Sequence, residues 1–122
     1  MIGYTTLGTN NLAGAGAFYD DLLGLLGASR IMADERMIIW GTGPGQPMFA
    51  VCRPYDEQPA TVGNGTMIAL NAGTQDMVNQ LHAKALALGG TDEGAPGPRV
   101  GSFYGGYFRD LDGNKLVAFV MG

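Results

Sequence analysis

The stretch YTTLGTNNLAGAGAFYDDLLGLLG, residues 4–27, reads as a strand running into a capped amphipathic helix. From Asn11 onward, Leu12, Ala15, Phe18, Tyr19, Leu22, Leu25 and Leu26 recur at three- and four-residue steps and paint one apolar face. Asn11 is a good N-cap and Gly27 is placed to end the helix. The interior glycines Gly14, Gly16 and Gly24 each cost roughly 1 kcal/mol relative to alanine, so tertiary packing must hold this helix. The same pattern returns later in the chain. A strand over Met67 to Asn71 leads to a Thr74 cap, and a second helix face runs through Val78, Leu81, Ala85 and Leu88 to Gly89-Gly90. With one half slid onto the other, Tyr4 falls on Met67, Leu7 on Leu70, Asn11 on Thr74, Ala15 on Val78, Phe18 on Leu81, Leu22 on Ala85 and Gly27 on Gly90. Strand, cap, helix face and terminating glycine coincide, which is an internal repeat.

The rest reads as short strands. Ile2 to Thr9 precedes the first helix; Arg30 to Met32, Met37 to Gly41 and Met48 to Cys52 follow it. After the second helix come a weak segment near Thr91, then Tyr104 to Arg109 and Lys115 to Met121, with a hairpin signal at Asp112-Gly113. Gly94 to Tyr104 holds too much glycine and proline for a strand and is expected as a loop. The expected architecture is α+β: two βαβββ modules in tandem, about 1–60 and about 61–122, whose sheets form one curved, open mixed surface with the helices outside.

Composition narrows the function classes. The 122 residues carry seven Lys and Arg against eleven Asp and Glu, a net charge of −4. No nucleic-acid partner and no membrane surface are expected of so acidic a chain. The single cysteine, Cys52, excludes an intrachain disulfide, and the single histidine, His82, excludes chemistry that needs two. The first residues show no basic region followed by an apolar run, so a cytoplasmic protein is expected. Glycine is abundant, at 21 residues, but it is spread through helix and strand patterns alike.

Three stretches resemble the vicinal oxygen chelate superfamily of glyoxalase I, bleomycin-resistance proteins and extradiol dioxygenases. The first is Ile2-Gly3-Tyr4-Thr5-Thr6-Leu7-Gly8, running through Asn11-Leu12 to Leu25-Leu26-Gly27. The second is Gly63-Asn64-Gly65-Thr66-Met67-Ile68-Ala69-Leu70, leading to Leu81-His82 and Gly89-Gly90. The third is Tyr107-Phe108-Arg109-Asp110-Leu111-Asp112-Gly113-Asn114-Lys115-Leu116, similar to the family's closing Asp-Pro-Asp-Gly-Asn-Lys signature, with Leu111 in place of Pro. Active members hold a divalent metal with His, Gln or Glu from the concave sheet face. Carried over by position, those ligands fall on Tyr4, on Met67, on Val117 and in the fourth strand around Phe49 to Val51, where no acid occurs. A phenol, a thioether and aliphatic groups cannot replace imidazoles and carboxylates, so neither a metal nor another cofactor is expected.

Period-two alternation puts Tyr4, Thr6, Met67, Ala69, Val117 and Phe119 on one face and turns Leu7, Leu70 and Leu116 toward the helices. Trp40, Phe49 and Met37 are expected to join the first set as an aromatic and thioether lining, the character of a pocket for an apolar or aromatic small molecule. Arg99, Tyr104 and Tyr107 are expected to reach a ligand's carboxylate or carbonyl from the loop. A filled core without a pocket is the plainer reading of the same residues. Asp110, Asp112 and Asn114 alternate like a calcium loop, but Lys115 replaces the required glycine, so a polar hairpin turn is expected. His82 and Cys52 read as structural. The expected function is binding of a small molecule by a homodimer. The alternatives are a metal-dependent lyase, isomerase or dioxygenase of the glyoxalase type, and a protein-interaction module.

Overall fold

The computed structural model describes all of residues 1–122. The first unit, Met1–Val62, runs β1 (Tyr4–Gly8), α1 (Leu12–Gly24), β2 (Ser29–Ala33), β3 (Met37–Gly41) and β4 (Met48–Cys52). The second, Gly63–Gly122, runs β5 (Ile68–Asn71), α2 (Gln75–Ala87), β6 (Thr91–Pro98), β7 (Tyr104–Arg109) and β8 (Lys115–Val120). Sheet orders are β1-β4-β3-β2 and β5-β8-β7-β6. In each, the first strand lies parallel to the last and the others are antiparallel. The repeat read from the sequence is therefore a repeat of topology: two βαβββ units, each a mixed four-stranded sheet with one helix.

Capping follows the sequence. Asn11 accepts a hydrogen bond from the Gly14 N–H at 2.9 Å, and Thr74 accepts one from the Met77 N–H at 3.1 Å. Packing of one face then holds each helix. Under α1 lie Phe18, Tyr19 and Leu22 against Ile38, Trp40, Phe49 and Val51, with Tyr19 within 4.7–5.7 Å of the Phe49 and Trp40 rings, centroid to centroid. The core under α2 is Val78, Leu81 and Ala85 with Phe108, Leu116 and Ala118.

The structure departs from the sequence expectations in two places. Gly94 to Pro98 is not loop but the second half of β6, paired through Gly94 with Tyr107, Gly97 with Gly105 and Pro98 with Tyr104. Proline is compatible with this position because β6 is an edge strand, needing backbone partners on one side only. Its register breaks between Asp92 and Gly94 and again between Gly94 and Gly97, and Gly94 absorbs the first break with φ 154°. The second correction concerns Trp40 and Phe49. Both point into the core beneath α1, 1% and 8% exposed, and line no open face.

Asp110 builds the hairpin between β7 and β8. Its carboxylate accepts from the backbone N–H of Asp112 and of Asn114, each at 2.9 Å, and from the Asn114 side-chain amide at 3.0 Å. The alternating polar residues are thus the turn itself, with the carboxylate engaged by the chain. His82, buried on α2, sets its Nε2 3.0 Å from Asp92 Oδ1 and 3.2 Å from the Tyr107 carbonyl. With two acceptors in reach that nitrogen carries hydrogen, and it ties the helix to β6 and β7. Gly106 leaves room for the ring, since a Cβ there would sit 3.2 Å from His82 Cδ2.

Candidate functional site

Each sheet has one face under its helix and one that is free of helix. In the first unit the helix-free face carries Tyr4 and Thr6 of β1, Met48 and Ala50 of β4, and Met37, Ile39 and Gly41 of β3. Tyr4 is 58% exposed, and Thr6, Ile31 and Met32 are exposed as well. The sequence set therefore divides: Tyr4, Thr6 and Met37 share this face, while Trp40 and Phe49 lie behind it.

In the second unit the helix-free face carries Ala69 and Asn71 of β5, Val117 and Phe119 of β8, and Tyr107 of β7, with exposed Met67 leading into β5. Val117 is directly between Ala69 and Tyr107 in register. It is fully buried, because Phe103 folds back over this face. A Cβ on Gly105 would meet Phe103 Cε1 and Val117 Cγ2, and the Phe103 and Phe119 rings stack at 5.3 Å. Phe103 is the lining residue that alternation alone does not find, since it stands outside any strand.

The three polar candidates separate. Tyr107 lies on the helix-free face between two cations, Arg99 at 5.4 Å and Lys115 at 5.5 Å from the ring centre. Arg99 spends its guanidinium on its own segment, donating to the carbonyls of Ala95 at 2.7 Å and Gly97 at 2.9 Å. Tyr104 does not join the set. It lies on the helix side, and its hydroxyl donates to Asn79 Oδ1 of α2 at 2.8 Å.

The donor chemistry at the family's metal positions can be tested directly. Tyr4, Met67 and Val117 offer a phenol, a thioether and an isopropyl group, and the helix-free positions of β4 are Met48, Ala50 and Cys52. Nowhere do three His, Cys, Asp or Glu side chains gather in a group able to hold a metal ion. These residues do not fit the His/Gln/Glu set of the metal-dependent members.

Comparison with known proteins agrees with the topology. The family model of the Glyoxalase/Bleomycin resistance protein/Dioxygenase superfamily matches residues 1–118, and the chain belongs to that superfamily. A solved glyoxalase/bleomycin resistance protein from Albidiferax ferrireducens T118 is 35% identical, with a TM-score of 0.92 over 100% of this chain and 99% of that one. A glyoxalase/bleomycin resistance protein/dioxygenase family enzyme from Burkholderia phytofirmans PsJN shares the fold at 17% identity and TM-score 0.80, over 98% of each chain. Lactoylglutathione lyase from Agrobacterium tumefaciens shares it at 21% identity and TM-score 0.73, over 98% of this chain and 92% of that one. No curated protein matches the chain. None of its helices is long and apolar enough to cross a membrane.

Proposed function

We propose that this superfamily member binds a small apolar or aromatic molecule on its helix-free sheet faces without a metal ion, in the manner of the sequestering rather than the metal-dependent members. The observation that carries the reading is the side-chain chemistry at the metal positions: Tyr4, Met67 and Val117 in place of imidazole and carboxylate donors. The same faces are rich in aromatic, thioether and aliphatic groups with few polar ones, which suits an apolar ligand. The working form is a homodimer. Ile2, Tyr4, Ile31, Met32 and Met67 are large apolar side chains left exposed, and a second copy would remove them from water.

Elemental analysis of the purified chain, before and after incubation with nickel, manganese, iron and zinc salts, tests the metal-free part. Metal at background level is expected. Near-stoichiometric retained metal would overturn it and put a lyase, isomerase or dioxygenase of the glyoxalase type first. The ligand part is tested by titrating 2-naphthol while following methyl resonances, with saturable shifts expected at Met67 and Val117. Shifts absent at both would defeat it.

A further inference from the structure

A concavity lies within the first unit, apart from its helix-free face. Its walls are Thr9 and Asn10 after β1, Glu35 and Arg36 before β3, and the segment Arg53, Pro54, Tyr55, Glu57, Gln58 and Pro59 after β4, around a volume of about 680 Å3. That volume is within the range of small-molecule sites. The chain fixes these walls. The Arg53 N–H donates to the Arg36 carbonyl at 2.8 Å, the Glu57 N–H to the Pro54 carbonyl at 3.0 Å, and Asn10 exchanges hydrogen bonds with the backbone of Ala60. Glu57 sits at φ 63°, a left-handed conformation unusual for a glutamate, so the segment is held in a specific bend.

The cavity's charges are left open. Neither Arg36 nor Arg53 lies within ion-pair distance of any carboxylate, whereas Arg30 and Arg109 are each paired. The two differ in packing, Arg36 being half-buried and Arg53 exposed. The Arg36 Nε is shut off from water with no hydrogen-bond partner, an uncommon state for a buried donor, and the Arg36 guanidinium rests 5.3 Å from the centre of the Tyr55 ring. The stacking orients the cation without neutralising it, and Asp34 acts on it electrostatically without reaching ion-pair distance. Tyr55 is 88% exposed, and Pro54 and Pro59 add flat apolar surface beside it.

We propose that this groove is a binding site for a small aromatic monocarboxylate, whose carboxylate pairs with Arg36 and Arg53 and whose ring lies on Tyr55. Guanidinium forks match a carboxylate in geometry as well as charge. Glu35 and Glu57 line the same cavity, so its four charges sum to zero and it offers a polyanion no net attraction beyond the first carboxylate-sized charge. The inference goes beyond the sheet-face reading and uses none of its residues.

The test is a titration of the full chain with benzoate, and separately with pyrophosphate, followed by the arginine Nε–H and tyrosine ring resonances. Benzoate is expected to give saturable shifts at Arg36 and Tyr55 while Tyr4 and Met67 stay still, so failure here is distinguishable from failure at the sheet faces. Arg36→Gln should weaken the titration at least tenfold. Arg53→Gln and Tyr55→Ala, at exposed positions, should each weaken it severalfold in a chain that keeps its fold. No saturable shift at residues 36 and 55, equal affinity in all three variants, or binding of pyrophosphate as tight as that of benzoate would each overturn the proposal.

Discussion

Asp20 joins three elements through one carboxylate. Its Oδ1 accepts from Arg30 Nε and from the buried Trp40 indole N–H, each at 2.9 Å, and its Oδ2 accepts from Arg30 Nη2 at 2.9 Å. The Arg30 hydrogen bonds, more than the Trp40 one, hold this carboxyl below the usual carboxylate range. In the unfolded chain the group titrates near ~4. A depressed folded value means that its contribution to stability is present above that pH and is lost as pH falls through the lower folded value. Both side chains of the ion pair are about two-fifths exposed, so after solvent screening the pair contributes about 1 kcal/mol or less. The indole is different, because an unpartnered buried N–H costs about 1–3 kcal/mol. Asp20→Ala should therefore lose about 2–3 kcal/mol in urea unfolding. Asp20→Asn, which keeps an acceptor for Trp40, should lose about 1 kcal/mol and show a flatter decline below about pH 4. Equal losses in the two variants would assign the effect to the ion pair instead. None of this was legible beforehand, since nothing in the spacing of Asp20, Arg30 and Trp40 pairs them.

At the level of elements, the passage from α2 into β6 depends on one residue without a side chain. A Cβ at Gly90 would lie 2.7 Å from the Arg109 carbonyl oxygen and 2.8 Å from that of Ala85, both of them backbone. Neither neighbour can rotate away. Gly90→Ala should lower stability by about 2–3 kcal/mol or more, the scale of overpacking. Gly24→Ala at the end of α1 meets nothing within 4 Å and should instead raise stability by up to about 1 kcal/mol. Thermal unfolding of the two variants checks both signs. Helices, caps and most strands were legible because apolar period and capping chemistry agree at each. β6 was hidden because an edge strand tolerates the glycine and proline that argue against a central one. The face errors have a different origin. In Met37-Ile38-Ile39-Trp40-Gly41 and Met48-Phe49-Ala50-Val51-Cys52 both alternating sets are apolar, so hydrophobicity does not say which one the helix covers. Spacing did hold part of the answer. Tyr104 and Tyr107 are three apart on one strand, as are Met37 and Trp40, and residues three apart cannot share a face.

For the whole molecule, the repeat was the most legible feature, and topology bears it out unit by unit. The candidate site was legible only in part. Alternation grouped Tyr4, Thr6, Met67, Val117 and Phe119 on one side, whereas Tyr107, expected to reach in from a loop, stands on β7 opposite Val117, and Phe103 and the groove around Arg36 depend on loop paths that periodicity does not describe. The dimer is a prediction at this scale. Sedimentation velocity should give about twice the chain mass of 12.7 kDa, and Met67→Asp should shift the equilibrium toward the single chain by at least tenfold in dissociation constant. A single-chain mass for the unaltered protein at micromolar concentration would remove the homodimer. The sheet edges differ in a way that bears on handling the protein. At one end of each sheet, β2 and β6 carry register breaks, and β6 carries prolines as well. At the other end, β1 and β5 pair without interruption along their inner sides. A broken, proline-bearing rim is a poor template for a foreign strand, whereas a regular one is a good template. Misassembly during refolding should therefore begin at β1 and β5. Its yield will depend on how dilute the chains are when those two rims first form.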